Sequence, residues 1–217
     1  MERHAESRTQ GQPVGPLRID RVTRAGIRSP GFAGPEHAAV EVFGPDKLEL
    51  TDPFVMLMDD ILLFEPGQPI GVAHPHAGLE TLTLVLQGAL DDADEGRLEA
   101  GDAAWMTAGA GVIHNEDVRG TGYTRVLQLW VALPASERKG PPRLQLLNLD
   151  AIPVRREHGA EARLYSGATG KLVSPTRNLV PMTVVDFILA PGASIDQMLP
   201  SSQGGLLYVV EGSVRTN

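Results

Sequence analysis

The chain has 217 residues, a formal net charge of −8 at pH 7 and a sequence pI near 5.2. This acidic balance and the lack of a Lys/Arg cluster argue against direct binding of nucleic-acid phosphates. There is no cysteine, which excludes disulfides and thiol chemistry and fits a reducing cytoplasm. No apolar run approaches the ~18 residues of a membrane span, and the start lacks the apolar segment of a signal peptide. We therefore expect a cytoplasmic protein without membrane contact.

Glycine and proline set the fold class. The 24 glycines and 17 prolines interrupt the chain into short apolar runs, which favour many strands and turns over a helical bundle. Residues 1–16 are polar and predict a flexible tail. Strands are predicted near residues 17–22, over 40–43, over 81–86 and over 123–133, with an acidic hairpin at residues 91–96. The expected fold is all-β.

Several polar residues along these strands are interpreted as surface features. Asp59 and Asp60 separate the apolar runs 54–58 and 61–64 and are expected in an exposed turn, because adjacent strand residues face opposite ways. His37, in a loop region, and His158, in a polar segment, are also expected at the surface.

Two pairs of potential metal ligands dominate residues 71–116. His74 and His76 form one pair, and His114 and Glu116 form the second pair 38 residues after His76. In an extended strand, residues i and i+2 point to the same face, so each pair presents two side chains together. A single His-x-His is common by chance, but two pairs with this period predict a metal site.

The side chains of the two pairs restrict the choice of metal. Three imidazoles and one carboxylate, without a thiolate, suit Fe(II), Mn, Ni, Cu or Zn and disfavour a closed structural zinc site. A six-coordinate ion held by four side chains keeps two positions for water, a substrate or dioxygen.

The motifs around these residues resemble those of the pirins, a branch of the cupin superfamily. His-Pro-His-Ala-Gly-Leu-Glu-Thr at residues 74–81 and Gly-Asp-Ala-Ala-Trp-Met-Thr-Ala-Gly-Ala-Gly at 101–111 carry the resemblance, supported by Asp-Pro-Phe at 52–54 and Leu-Gln-Leu-Trp-Val at 127–131. The resemblance implies one iron, as Fe(II), ligated by His74, His76, His114 and Glu116. Glu80 stands one place before the glutamate of the general cupin pattern, where this chain has Thr81, and is not expected to be a ligand.

The second half of the chain repeats part of the first. Residues 186–192 echo 60–67, and residues 207–214 echo 83–90, with Gly212 following Gly88 at an offset of 124. The expected architecture is a bicupin, with a metal-binding domain at 17–133, a linker at 134–142 and a degenerate second domain at 143–217. At this offset the counterparts of residues 101–114 fall beyond residue 217, so the second barrel is expected to be shortened. Its open edge predicts cover by a protein partner or by self-association.

Two classes of function follow from the resemblance, and the residues leave both open. Iron-containing pirins resemble quercetin 2,3-dioxygenases, which implies a flavonol-like aromatic substrate and O2, with Glu116 as ligand and general base. The alternative is an iron-containing binding protein that regulates a transcription factor or metabolic enzyme without catalysis. A third reading is a degenerate cupin kept for its fold alone.

Overall fold

A computed structural model of the chain describes residues 19–31, 34–65, 70, 73–92, 96–115, 122–200 and 203–216. These residues group into two compact units, one within 24–196 and the other formed by the described parts of 1–23 and 197–217. The predicted tail at 1–16 lies outside the described residues. No helix in the described parts of the chain is long and apolar enough to cross a membrane.

Antiparallel strands make up almost all of the regular structure. In chain order they are β1 (Ser29–Pro30), β2 (His37–Phe43), β3 (Phe54–Phe64), β4 (Ala73–His76), β5 (Leu79–Gln87), β6 (Ala89–Asp92), β7 (Gly96–Glu99), β8 (Ala103–Thr107), β9 (Val112–Asn115), β10 (Gly122–Ala132), β11 (Arg143–Leu147), β12 (Val154–Glu157), β13 (Ala160–Ser166), β14 (Ala168–Thr169), β15 (Leu172–Val173) and β16 (Val184–Leu189). A 3-10 turn at Pro45–Lys47 and the single-turn helix α1 at Leu48–Thr51 join β2 to β3. The all-β prediction is confirmed.

The largest sheet has seven strands in the order β1-β2-β3-β10-β5-β8-β11. Three two-stranded ribbons, β4-β9, β6-β7 and β14-β15, lie outside it, and β12-β13-β16 form a second sheet. The β6-β7 ribbon is the predicted acidic hairpin, whose residues 93–95 lie outside the described residues. Within the described residues these sheets do not close into a barrel.

Strand β5 is buried on both faces, as its uninterrupted Leu, Thr and Val sequence predicts. Leu82 and Leu84 belong to one apolar core cluster, while Val85 on the opposite face belongs to another. The first cluster also contains Trp105, which is fully buried. The seven-stranded sheet therefore separates two apolar cores.

The exposed turn expected at Asp59 and Asp60 is wrong. Both residues lie inside the continuous strand β3 and are buried. Each carboxylate has a cationic or polar partner on its own face of the sheet. Arg125 donates to Asp59 at 2.8 and 2.6 Å, and Asp60 Oδ1 lies 2.7 Å from His37 Nε2. Opposite orientation on the strand gives each carboxylate a separate site, and these contacts offset the cost of burial.

The prediction that His37 lies at the surface is also wrong, because the imidazole is a buried partner of Asp60. Its side chain is 3% exposed and pairs with Asp60. A Cβ on Gly31 would overlap the His37 imidazole, so the chain needs glycine at that position to pack over the ring. His158, by contrast, is exposed as expected.

The strand expected near residues 17–22 is also wrong where it can be compared with the structure. No strand occurs from residue 19 to residue 28, and the side chains of Ile19 and Val22 are largely exposed. The first strand of the described chain is β1.

The internal repeat is only partly expressed as secondary structure. The order β12-β13-β16 matches the order β1-β2-β3, and Gly212 has a positive φ of 81° where Gly88 has 79°. Residues 207–214, whose sequence echoes residues 83–90, form no strand. In the first half β5 pairs with β8 and β10. The bicupin architecture stays a prediction.

The segments before and after the predicted linker share one core. Strand β11 follows residues 134–142 but pairs with β8, at the edge of the seven-stranded sheet. Tyr165, Val180 and Met182 pack in the same cluster as Trp105. The described residues of 24–196 therefore fold as one unit.

A Tyr165→Phe substitution tests this shared core. Tyr165 is fully buried and its hydroxyl donates to the Gly101 carbonyl at 2.7 Å, a contact that spans 64 residues. Burial raises the pKa of this hydroxyl far above its ordinary value, so it remains a donor. We expect the loss of the hydroxyl to lower the free energy of unfolding by about 1 to 2 kcal/mol, measured by urea denaturation. Tyr123→Phe is the control, because the Tyr123 side chain is exposed. An equal effect of both substitutions would show that the Tyr165 hydrogen bond does not stabilise the shared core.

Candidate metal centre

Three of the four predicted ligands, His74, His76 and His114, lie on the paired strands β4 and β9. In their antiparallel register His74 stands opposite His114, and His76 stands opposite Val112. For His114 the structure describes the backbone alone, and Glu116 lies outside the described residues. The backbone register brings the two sequence motifs to neighbouring strands, as the period-two pattern predicts. Whether all four residues bind a metal stays a prediction.

His74 and His76 bring their imidazoles together. Their Nε2 atoms lie 2.9 Å apart, His76 is buried and His74 is half-buried. Two imidazole nitrogens bound at right angles with metal–nitrogen bonds of about 2.1 Å would be separated by about 3.0 Å. The observed separation fits two neighbouring positions of a six-coordinate ion, so this pair is suited to hold a metal.

The turn before β9 is braced by the segment predicted as a linker. Gly78 N donates to the Gly109 carbonyl and Ala110 N donates to the Gly140 carbonyl, each at 2.8 Å. Gly109 has a φ of +51°, and a Cβ there would overlap the Gly140 carbonyl. Glycine is needed at Gly109 for both reasons. These turns position the backbone that leads into β9.

Glu80 is committed to a structural role. It is fully buried and accepts a hydrogen bond from Thr107 Oγ1 at 2.7 Å. The backbone N–H of Leu179 donates to its two carboxylate oxygens at 3.2 and 3.1 Å, and that of Val180 donates at 3.5 Å. These contacts account for the carboxylate without a metal, in agreement with its exclusion from the predicted ligand set.

Trp130 is a neighbour of the site that the sequence analysis did not single out. Its ring lies edge-to-face against His76, with centroids 5.1 Å apart and ring planes at 87°. Trp130 belongs to the motif at residues 127–131. Its position in the alternation of β10 was the sequence feature that could have identified it as a neighbour of the site. Strand register places it between Met56 of β3 and Thr81 of β5.

The side chains that the structure describes contain no group of three or more metal-ligating residues. Such a group would have to include side chains of His114 or Glu116. The rim positions Ala73, Ala77 and Ala110 are exposed, so small side chains border the ribbon.

Comparison with known proteins identifies the family. The family profile described as Pirin matches residues 36–131, the segment that spans β2 to β10. Pirin-1 of Arabidopsis thaliana is 36% identical over 168 residues, covering 76% of this chain and 57% of that protein. Pirin of Homo sapiens is 34% identical over 177 residues, covering 79% of this chain and 60% of that protein. The chain belongs to the pirin family. It spans less than two thirds of the length of these relatives.

Solved structures agree with the pirin assignment. GK1651 of Geobacillus kaustophilus superposes with a TM-score of 0.70 at 37% identity, covering 82% of this chain and 71% of that one. A quercetin 2,3-dioxygenase of Acinetobacter baumannii superposes with a TM-score of 0.63 at 29% identity, covering 75% of this chain and 61% of that one. The resemblance to pirins seen in the motifs is thereby confirmed, and the cupin fold with it.

Proposed function

We propose that this pirin-family chain is a metal-dependent dioxygenase that cleaves a flavonol-like aromatic substrate with O2. The observation that supports the proposal most directly is the 2.9 Å approach of the His74 and His76 Nε2 atoms on a strand paired with β9. Similarity to the structure of a quercetin 2,3-dioxygenase of Acinetobacter baumannii supports the choice of reaction.

The proposed ligands are His74, His76, His114 and Glu116. Residues directly opposite in an antiparallel ladder share a face of the ribbon, which is the reason for including His114 with His74. Glu116 follows two residues later and would return to that face in an extended chain. A set of three imidazoles and a carboxylate suits Fe(II), and also accepts Mn, Ni, Cu or Zn.

The protein residues have separate tasks in the proposed reaction. A bound metal would supply Lewis-acid and one-electron chemistry for dioxygen and the substrate hydroxyl. His74 and His76 would hold the ion from β4, and His114 and Glu116 would approach it on the same face from the neighbouring segment. Glu116 takes the proton of the flavonol hydroxyl as general base. A Glu116→Gln substitution should therefore reduce turnover more than metal content.

Dioxygen uptake with quercetin tests the proposal. The protein is loaded anaerobically with Fe(II), and a His114→Ala variant is compared with the unaltered chain. We expect uptake that requires His114. His158→Asn is the matched control, because His158 is an exposed histidine with a positive φ of 47° that asparagine tolerates, and it should keep full activity.

The other outcomes of the dioxygen-uptake experiment distinguish the alternative functions. Full activity of His114→Ala would contradict the proposed site. One bound iron per chain without uptake, on quercetin and related aromatic substrates, would favour the binding protein that regulates a partner. Neither uptake nor bound metal would favour a fold without a working metal centre.

A further inference from the structure

The contact between Trp130 and His76 joins the metal ribbon to the seven-stranded sheet. His76 ends β4, in a ribbon of two strands, whereas Trp130 lies in β10, which is hydrogen-bonded on both sides to β3 and β5. The rings meet edge-to-face at 5.1 Å between centroids. The ring that touches His76 is therefore carried by one of the best-supported strands of the fold.

The indole acts through its ring. Its Nε1 atom is buried, yet has no hydrogen-bond partner among the described residues. An unpaired buried N–H does not stabilise the fold. The tryptophan at residue 130 is therefore not explained by a hydrogen bond of its indole within the described structure. The perpendicular ring contact has the arrangement that aromatic pairs favour.

The contact restricts the rotation of the imidazole. Rotation about the terminal side-chain bond of histidine is broad unless neighbours limit it. The Trp130 ring limits it at one contact, and the His74 ring, with its centroid 4.6 Å from that of His76, limits it at a second. With both neighbours in place, His76 Nε2 faces His74 Nε2.

We propose that Trp130 is a positioning residue that orients the His76 imidazole for metal binding. This inference rests on the proposed metal site, since it assigns His76 as a ligand. It predicts that an aromatic ring at residue 130 is needed for full metal affinity and that the indole N–H is not.

Two substitutions separate the ring from the N–H. Trp130→Phe keeps an aromatic ring and removes the buried N–H, whereas Trp130→Leu removes the ring. The probe is Ni(II), titrated calorimetrically into the metal-free full chain, together with the visible absorption spectrum of the Co(II)-loaded protein. We expect Trp130→Leu to weaken Ni(II) binding about 10- to 100-fold and to alter the Co(II) bands. Trp130→Phe should bind within about threefold of the unaltered chain, because the orienting ring contact remains.

Trp105→Phe is the matched control. Trp105 is fully buried in the core cluster that contains Leu82 and Leu84. Its Nε1 also has no hydrogen-bond partner among the described residues. Its substitution should leave the Ni(II) affinity and the Co(II) spectrum unchanged. Thermal unfolding of each metal-free variant shows whether the fold is retained.

Fluorescence gives a second measurement if Trp130→Leu fails to fold. The chain has two tryptophans, so Trp105→Phe leaves Trp130 as the single emitter and Trp130→Phe leaves Trp105. Stoichiometric Ni(II) should change the emission of Trp130 much more than that of Trp105. Equal responses of the two tryptophans would overturn the placement of Trp130 beside the ion.

Three further results would overturn the inference. A folded Trp130→Leu variant with unaltered affinity and spectrum would show that the ring is not needed. A Trp130→Phe variant as weak as Trp130→Leu would assign the effect to the N–H. Failure of the unaltered chain to bind Ni(II) or Co(II) would remove the proposed metal site itself, and the two failures are therefore distinguishable.

Discussion

A Glu80→Ala variant is expected to lose about 3 to 5 kcal/mol of the free energy of unfolding. Glu80 is fully buried, and its carboxylate accepts hydrogen bonds from the Thr107 hydroxyl and from the backbone N–H groups of Leu179 and Val180. Truncation leaves these three donors buried without an acceptor. Each such group costs about 1 to 3 kcal/mol, and the lost side-chain volume adds a cavity.

The position of Glu80 in the fold is the reason for the large effect. It lies in β5, an interior strand of the seven-stranded sheet, and its partner Leu179 follows 99 residues later. The same carboxylate therefore fixes both the β5-β8 pair, through Thr107, and the later segment that supplies Val180 to the first core cluster. The loss of one side chain would loosen both contacts.

Glu80→Gln separates the charge from the shape. Glutamine keeps the volume and one acceptor oxygen but turns an amide donor towards backbone N–H groups, so we expect a smaller loss of about 1 to 3 kcal/mol. Urea denaturation followed by circular dichroism measures both variants. A loss below about 1 kcal/mol in Glu80→Ala would show that the carboxylate is not the connection described here.

Local patterns in the sequence were sufficient to predict two strands of the large sheet and the approach of two histidines. The alternation in residues 81–86 and 123–133 corresponds to β5 and β10, and the His-x-His period predicts the approach of His74 and His76. The acidic hairpin near residues 91–96 corresponds to β6 and β7. These features depend on residues close together in the chain, which is why periodicity reveals them.

Long-range polar partners were not predictable from the same patterns. Asp59 suggested a turn because its partner, Arg125, is 66 residues away, and Asp60 did so because His37 is 23 residues away. A buried carboxylate looks like an exposed one in the sequence when its counter-charge is remote. Residues 207–214 repeat the sequence of residues 83–90 without forming a strand, because strand propensity alone does not form a sheet.

The candidate site likewise combines features that local patterns predict with long-range contacts that they do not. The backbone register of His74 and His114 could be anticipated from the two period-two motifs, whereas the contact of Trp130 with His76 could not. That contact depends on how the ribbon lies against β10. Sequence periodicity assigns a residue to a face of its own strand but does not state which ring it meets there.

An Asp59→Ala variant is also expected to lose about 3 to 5 kcal/mol of the free energy of unfolding. The Asp59 side chain is 1% exposed and binds the Arg125 guanidinium through two hydrogen bonds, with Arg28 at 3.7 Å. Removal of the carboxylate leaves a guanidinium only 21% exposed without its main counter-charge. Asp46→Ala is the control, because Asp46 and its partner Lys47 are both exposed, and it should leave the urea midpoint unchanged.

A double-mutant cycle separates the ion pair from the burial of each partner. Arg125→Met keeps much of the apolar stem and leaves the Asp59 carboxylate buried without its bidentate partner, so it should also be strongly destabilising. The cycle compares the unaltered chain with Asp59→Leu, Arg125→Met and Asp59→Leu/Arg125→Met. In the double variant neither charge remains, and apolar side chains occupy the space between β3 and β10. We therefore expect the double variant to be more stable than the sum of the two single losses predicts, with a coupling free energy of about 1 to 3 kcal/mol. A coupling below about 0.5 kcal/mol, with equal urea m-values for all four proteins, would mean that Asp59 and Arg125 act independently. The burial of Asp59 would then have to be offset by Arg28 and the backbone instead.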